Sequence, residues 1–266
     1  MIPVKCEQGS PEWHQARAGA ITASMISEVR KVVGGLTDQQ QKYVDAIQSG
    51  KSLDEAKEIA KYQSKPTGKV IQKALDGEKV GDYSDAAKAY AFRLAIERIS
   101  GEPLDEADQF QTYAMRRGNE LEPEARLCHE EKYGLLVEQT GLVLSDDRCL
   151  GASADGLIDE NGGSEYKCLL NPVRMRQLWI DRDISEFIDQ VQACMWIAER
   201  DWWHLCMYSP ALKPIGKELF VIEVNRDDEH IAAMVEDLDR FNVFVESWKQ
   251  KLIDAELPLA PLAEAA

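Results

Sequence analysis

From residue 151 to 168 the chain reads Gly-Ala-Ser-Ala-Asp-Gly-Leu-Ile-Asp, then Glu-Asn-Gly-Gly, then Ser-Glu-Tyr-Lys-Cys. Short apolar runs on either side of a Gly-rich turn predict a β-hairpin with strands over 156–159 and 164–168. Asp155 falls at the start of the first strand. On the second, Glu165 and Lys167 are two residues apart, so a strand sends both from the same face. A carboxylate and an ammonium on an otherwise apolar strand carry a desolvation cost. A metal ion held by Asp155 and Glu165, with Lys167 beside its water, accounts for all three residues. Phosphodiester hydrolysis needs those types: an ion to polarise the phosphate and lower the pKa of a water, and a lysine to orient or help deprotonate that water and stabilise negative charge. A surface hairpin with one ion pair satisfies the same pattern, so support must come from elsewhere.

A helix over 108–133, broken or bent near Gly118, carries Arg116-Arg117-Gly118-Asn119-Glu120-Leu121-Glu122-Pro123-Glu124-Ala125-Arg126. Glu122, Ala125 and Arg126 share one face, which can aim a single carboxylate inward and turn Glu120 and Glu124 elsewhere, although sequence alone barely separates the three. The six cysteines stand singly with no C-x-x-C pair, and there are four histidines, so a disulfide framework, a zinc site or a His-rich centre is not expected. A metal site here is built from carboxylates and suits a hard ion such as magnesium or manganese. The 266 residues have 31 basic and 47 acidic side chains, a net charge of −16, which argues against non-specific DNA affinity over the whole surface but leaves room for a local basic channel. Residues 218–266 hold 12 acidic and 4 basic residues, the last place to seek a phosphate-binding face. No apolar run is long enough to span a membrane. The opening MIPVKCEQGSPEWHQ has no charged-then-apolar leader, which sets a cytoplasmic location as the expectation.

Along the chain, an irregular lead precedes a helix that Thr22 or Ser24 caps. Residues 34–81 predict three short helices (37–48, 52–62, 66–75) with a thin apolar stripe of Leu53, Ala56, Ile59 and Ala60. This segment reads as a helical insertion or arm, with a helix-turn-helix DNA reader as the alternative. Its eight basic and seven acidic residues, Lys79 among them, are a poor balance for an independent DNA-binding module. A helix over 85–99 follows, then strands at 135–139, 141–144, 150–154, 156–159 and 164–168. A helix over 184–200, strands at 202–208 and 218–224, a long helix over 228–252 and a frayed end complete an α/β layer arrangement.

In this order, these residues resemble the PD-(D/E)xK nuclease superfamily, and within it the YqaJ-type phage recombination exonucleases of the lambda exonuclease family. Trp13 to Ser24 resembles the family's W-x-x-x-R-x-G-x-x-T-A-S segment. Arg117 to Glu122 resembles its RG-x-x-x-E helix, Ser153 to Gly156 with Glu165 to Cys168 its SPDG and E-x-K-C hairpin, and Gln190 to Trp196 its QVQ-x-x-MW helix. Ala154 and Leu169 stand where the family often has proline, which loosens the local backbone without removing a ligand.

The resemblance implies a restriction-endonuclease-like α/β core, a central mixed β-sheet flanked by helices, in a single exonuclease domain over 1–266 with the 34–81 insertion inside it. Asp155 and Glu165 are then the principal metal ligands, with the Tyr166 main-chain carbonyl and Glu122 completing the set around two magnesium (or manganese) ions. Lys167 is the catalytic lysine, Gln190 the helix glutamine at the edge of the site, and Arg17 the holder of the DNA 5′-phosphate, assisted by Ser24. A planar guanidinium fork suits a phosphate on physical grounds also, although a lone surface arginine more often forms a salt bridge. The implied activity is an alkaline-type, magnesium-dependent 5′-to-3′ exonuclease on linear double-stranded DNA that leaves 3′ overhangs. Its implied setting is a homotrimeric ring working with a single-strand annealing protein in a phage-infected or prophage-bearing bacterium. The alternatives are a nuclease of other polarity or an endonucleolytic repair or restriction role, and a catalytically inactive DNA-binding accessory protein.

Overall fold

Residues 162–166 are all buried, and the strand they form is the one from which the candidate catalytic side chains project. The computed structural model describes residues 1–78, 80–104 and 113–256. In chain order the elements are β1 (Ile2–Val4), α1 (Pro11–Ala16), β2 (Ile21–Thr22), α2 (Ile26–Arg30), β3 (Val32–Val33), α3 (Asp38–Gln48), α4 (Leu53–Ile59), α5 (Lys69–Leu75), β4 (Asp82–Tyr83), α6 (Asp85–Ser100) and α7 (Tyr113–Tyr133). There follow β5 (Leu142–Leu144), β6 (Leu150–Ala152), β7 (Gly156–Ile158), β8 (Gly162–Lys167), α8 (Pro172–Arg176), α9 (Ile188–Ala198), β9 (Trp202–Tyr208), β10 (Leu219–Asn225) and α10 (Asp228–Asp254). Most of the frayed end expected over the last dozen residues, Lys79 and the start of the 108–133 helix lie outside the described residues.

The chain divides into two units, Met1–Ser27 with Ala89–Ala266, and Glu28–Lys88. In the larger unit a mixed sheet runs β10-β9-β8-β7: β7 and β8 are an antiparallel hairpin, β8 and β9 are parallel, and β9 and β10 are antiparallel. The parallel step needs a crossover, and α9 supplies it. The expectation of one central group of strands is refined here, because β5 and β6 pair instead with β1 and β2 in a second four-stranded sheet. Helix α9 packs against β9 and against β5 and β6, so it joins the two sheets, while α7 packs on β8, β9 and β10. Leu121 and Ala125 of α7 share a buried cluster with Tyr166, Cys206, Tyr208 and Leu219. Strand alternation then turns Glu165 and Lys167 to the opposite face from Tyr166.

Several local expectations are corrected. Residues 135–139 form no strand, only an isolated bridge between Glu138 and Leu157, and Leu136 is 83% exposed. Helix α7 is unbroken through Gly118. Neither Thr22 nor Ser24 caps α2 through its side chain: Thr22 precedes a 3₁₀ turn over Ala23–Met25 without a capping bond. Gly162 and Gly163 belong to β8, not to the turn, which is confined to 159–161. A Cβ built on Gly163 would lie 2.1 Å from the Trp203 ring, so the parallel neighbour fills the space a side chain would need. Gly163→Ala therefore overpacks the sheet, with an expected loss of about 1–3 kcal/mol of unfolding free energy, read from the lowered denaturant midpoint.

The smaller unit has its own core of Tyr43, Val44, Ala46, Ala56, Ala60, Ile71 and Ala74, and its strands β3 and β4 pair with Val33 opposite Asp82. Thr37 and Ser52 start α3 and α4 with complete capping boxes. The expected stripe is only half buried, since Leu53 and Ile59 are exposed.

Candidate active site

Asp155 sits just before β7, and its Oδ2 accepts from the Tyr166 amide at 2.7 Å, tying the foot of one strand to the middle of the next. Glu165 is 4% exposed. Its Oε1 accepts from Lys167 Nζ at 2.8 Å and from Gln190 Nε2 at 2.6 Å, and Gln190 Oε1 accepts from Lys167 at 3.0 Å. Three polar groups from a strand and a helix thus form a closed triangle. The other oxygen, Glu165 Oε2, is buried with no hydrogen-bond partner, a costly state for a carboxylate unless a cation sits beside it.

Three carboxylates crowd together here beside Lys167, Arg126 and Arg17. Burial pushes the Asp155 carboxyl well above its ordinary pKa, and Glu165 and Glu122 push it further. Glu122 is also raised, first by burial and then by Glu165, against the pull of Arg126. Arg126 lies 3.9 Å from Glu122, and in the amide orientation that satisfies both groups the Gln139 oxygen accepts from its Nη1 at 2.7 Å and Nη2 at 3.1 Å. Burial alone would lower the Lys167 pKa, but Glu165 and Asp155 outweigh it and hold the ammonium above the usual lysine value. Crowded, desolvated carboxylates with one orphaned oxygen are the donor set expected of a hard divalent ion, and they fit one. Among the described residues no three His, Cys, Asp or Glu side chains converge into a ready-made metal cage.

Arg17 and Ser24 come from the N-terminal segment. Ser10 caps α1 by accepting from Trp13, and Arg17 closes the helix. Gly19 follows at φ +74°, and a Cβ there would stand 2.8 Å from Arg98 Cγ, so the turn requires glycine. Gly19 is clamped on both sides, its amide to Glu97 at 2.8 Å and its carbonyl to Arg98 at 2.8 Å, which sets the path into β2. A cleft of about 100 Å³ is lined by Arg17 and Ser24 together with Asp155, Glu165 and Gln190. Glu122 lines a neighbouring, wider cleft with Asp155, Arg17 and Ser24. The sequence-predicted residues from four separate segments are therefore brought to one place.

Sequence alone assigns Trp13 no role of its own, yet Arg17 lies over its ring at 4.1 Å and its Nε1 donates to Ser153 at 2.7 Å. The four-residue spacing of Trp13 and Arg17 on a helix was a visible signal. Two of the four histidines are used in packing: His129 Nε2 is 2.9 Å from His204 Nδ1, and its Nδ1 is 3.0 Å from the Tyr166 hydroxyl. Burial first and His204 second lower the His129 pKa to about 4, so it is neutral at physiological pH.

A mixed sheet whose hairpin sets an aspartate beside an E-x-K strand, flanked by helices, defines a PD-(D/E)xK nuclease core: a DNA-hydrolysing enzyme with metal-dependent chemistry. Residues 12–201 match the YqaJ-like viral recombinase domain, and the chain belongs to that family. Among solved structures, the alkaline exonuclease LHK-Exo from Laribacter hongkongensis is similar over 92% of this chain and 96% of its own, at 24% identity and a TM-score of 0.64. LHK-Exo in complex with dAMP gives 23% identity, 91% and 96% coverage and a TM-score of 0.63. Both show the shared fold. The ExoD protein of Escherichia coli (strain K12) is 32% identical over 75 residues, covering 24% of this chain and 86% of that protein. No helix among the described residues is long and apolar enough to cross a membrane.

Proposed function

We propose that the chain is a magnesium-dependent 5′-to-3′ exonuclease that degrades one strand of linear double-stranded DNA and leaves a 3′ overhang. The observation that carries this reading is the single cleft shared by Arg17 and Ser24 with Asp155, Glu165 and Gln190. An anion site beside a carboxylate site suits a strand that ends in a phosphate and is cut close to that end. Asp155 and Glu165, with Glu122 and the Tyr166 carbonyl, would hold two magnesium ions, for which manganese can substitute. When bound, the metal supplies charge to polarise the scissile phosphate and activate the nucleophile. Lys167, kept as an ammonium, places positive charge and a proton donor beside the reacting phosphate. Gln190 holds Lys167 and Glu165 in register. Linear duplex should be digested and a covalently closed circle should resist; equal loss of both would mean an endonuclease.

Arg17→Ala should lower the preference for 5′-phosphorylated over 5′-hydroxyl ends by about tenfold to a hundredfold, the loss of one charge-assisted contact of about 1.5–3 kcal/mol. Equal slowing on both ends would assign Arg17 to general DNA affinity. The family reading further brings a homotrimeric ring around the duplex, a single-strand annealing protein as partner, and the cytoplasm of a bacterium carrying the phage or prophage. Residues 34–81 are proposed as an insertion in one exonuclease domain that makes few phosphate contacts. Its own core and the β3–β4 pairing, which a short Gly/Ser linker can bridge after deletion, support an insertion, and its eight basic against seven acidic residues support few phosphate contacts. That deletion should leave 5′-end cleavage detectable. It should change the slope of log affinity against log salt by less than about two units, each phosphate contact being worth about 0.9.

A further inference from the structure

Arg17 has the right chemistry for a phosphate, but a guanidinium on a flexible stem discriminates only if something fixes where it points. Trp13 is built to do that. It stands one helical turn before Arg17, and the guanidinium carbon lies 4.1 Å from the centre of its ring, within stacking and cation–π range. The indole itself is held in place. Trp13 packs with Ala16, Ile2, Val4 and Cys6 against the buried Ala20, Leu142 and Leu144 at the second sheet. Its Nε1 donates to Ser153 Oγ at 2.7 Å, and Ser153 precedes Asp155 by two residues on the segment that leads into β7. One rigid ring therefore touches the phosphate-binding side chain on its face and the catalytic hairpin at its edge. Trp13, Arg17, Ser153 and Asp155 all line the same cleft.

We propose that Trp13 is a positioning residue: pinned by Ser153, it holds Arg17 at a set place relative to Asp155 and so determines how strongly a terminal phosphate is preferred. This rests on the reading of Arg17 as the 5′-phosphate contact. Trp13 touches no reacting atom, and its effect runs through Arg17.

The test compares kcat/KM on linear duplexes with 5′-phosphoryl and 5′-hydroxyl ends, in magnesium, for the full chain and its variants. Trp13→Leu removes both the face and the pin, and should lower the phosphoryl-to-hydroxyl ratio by about tenfold, the scale of a desolvated cation–π contact. Trp13→Phe keeps a face without the indole N–H and should recover part of that ratio. Ser153→Ala should match Trp13→Phe, and combining those two should add nothing, because the pin is broken once. In the Trp13→Leu, Arg17→Ala double variant the ratio should equal that of Arg17→Ala alone. A Trp13→Leu variant that slows both end types equally, or whose effect on the ratio multiplies with that of Arg17→Ala, overturns the proposal. Should Trp13→Leu not fold, as judged by circular dichroism, the Trp13→Phe and Ser153→Ala pair decides alone: unchanged ratios or multiplying effects reject it. An unchanged ratio in Arg17→Ala rejects the phosphate reading itself, which separates that failure from a failure of Trp13.

Discussion

Asp155→Asn should abolish hydrolysis of linear duplex DNA, by on the order of 10³-fold or more, while the protein without metal becomes harder to melt. The two effects have one cause. Asp155 is desolvated and repelled by Glu165 and Glu122, so in the absence of a cation its charge works against the fold. Asparagine keeps an oxygen in place for the Tyr166 amide, now at 2.7 Å from Oδ2, and removes the repulsion. Added magnesium should raise the melting temperature of the wild type and leave that of the variant nearly unchanged, because only the wild type retains the full set of ligands. Glu165→Ala should likewise lose hydrolysis and retain duplex binding. Digestion by either variant at more than about a tenth of the wild-type rate would remove the residue from the centre.

Lys167→Ala should slow the single-turnover step by on the order of 10²-fold with metal affinity largely retained. Glu165 Oε1 keeps its bond from Gln190 in this variant, so the carboxylate is not left without a donor. Lys167→Arg should rescue poorly. The native ammonium reaches Glu165 and Gln190 at 2.8 and 3.0 Å, and a planar fork cannot occupy the same point between the two oxygens. Calorimetric titration with magnesium beside the cleavage rate checks the pairing; a parallel loss of metal affinity would make Lys167 part of the metal site's structural support.

The hairpin and the α7 carboxylate were legible because each rests on a short-range rule, whereas the α9 glutamine was visible only through the family resemblance. Two-residue spacing puts Glu165 and Lys167 on one strand face, and helical spacing puts Glu122 with Ala125 and Arg126. Buried residues Ala87, Tyr90, Ala91, Leu94 and Ala95 follow the helical period expected for α6. What was not legible depends on partners distant in sequence. Gly162 and Gly163 look like turn residues until Trp202 and Trp203 are known to lie alongside. The division of the strands into two sheets is decided by β1 and β2, too short to show any periodicity. At 135–139 the single bridge depends on Glu138 meeting Leu157, a pairing that no local pattern reveals. The Trp13 to Ser153 bond spans 140 positions, so only the folded chain joins the Trp13–Arg17 segment to the Asp155 hairpin.

Digesting linear duplexes labelled at either the 5′ or the 3′ end, with and without magnesium, tests the central claim most directly. The account predicts that, only in magnesium, the 5′ label is released early as a short product while the 3′ label stays on long strands that remain single-stranded. Release of the 3′ label first, internal cutting of closed circles, or equal digestion in excess chelator would contradict it.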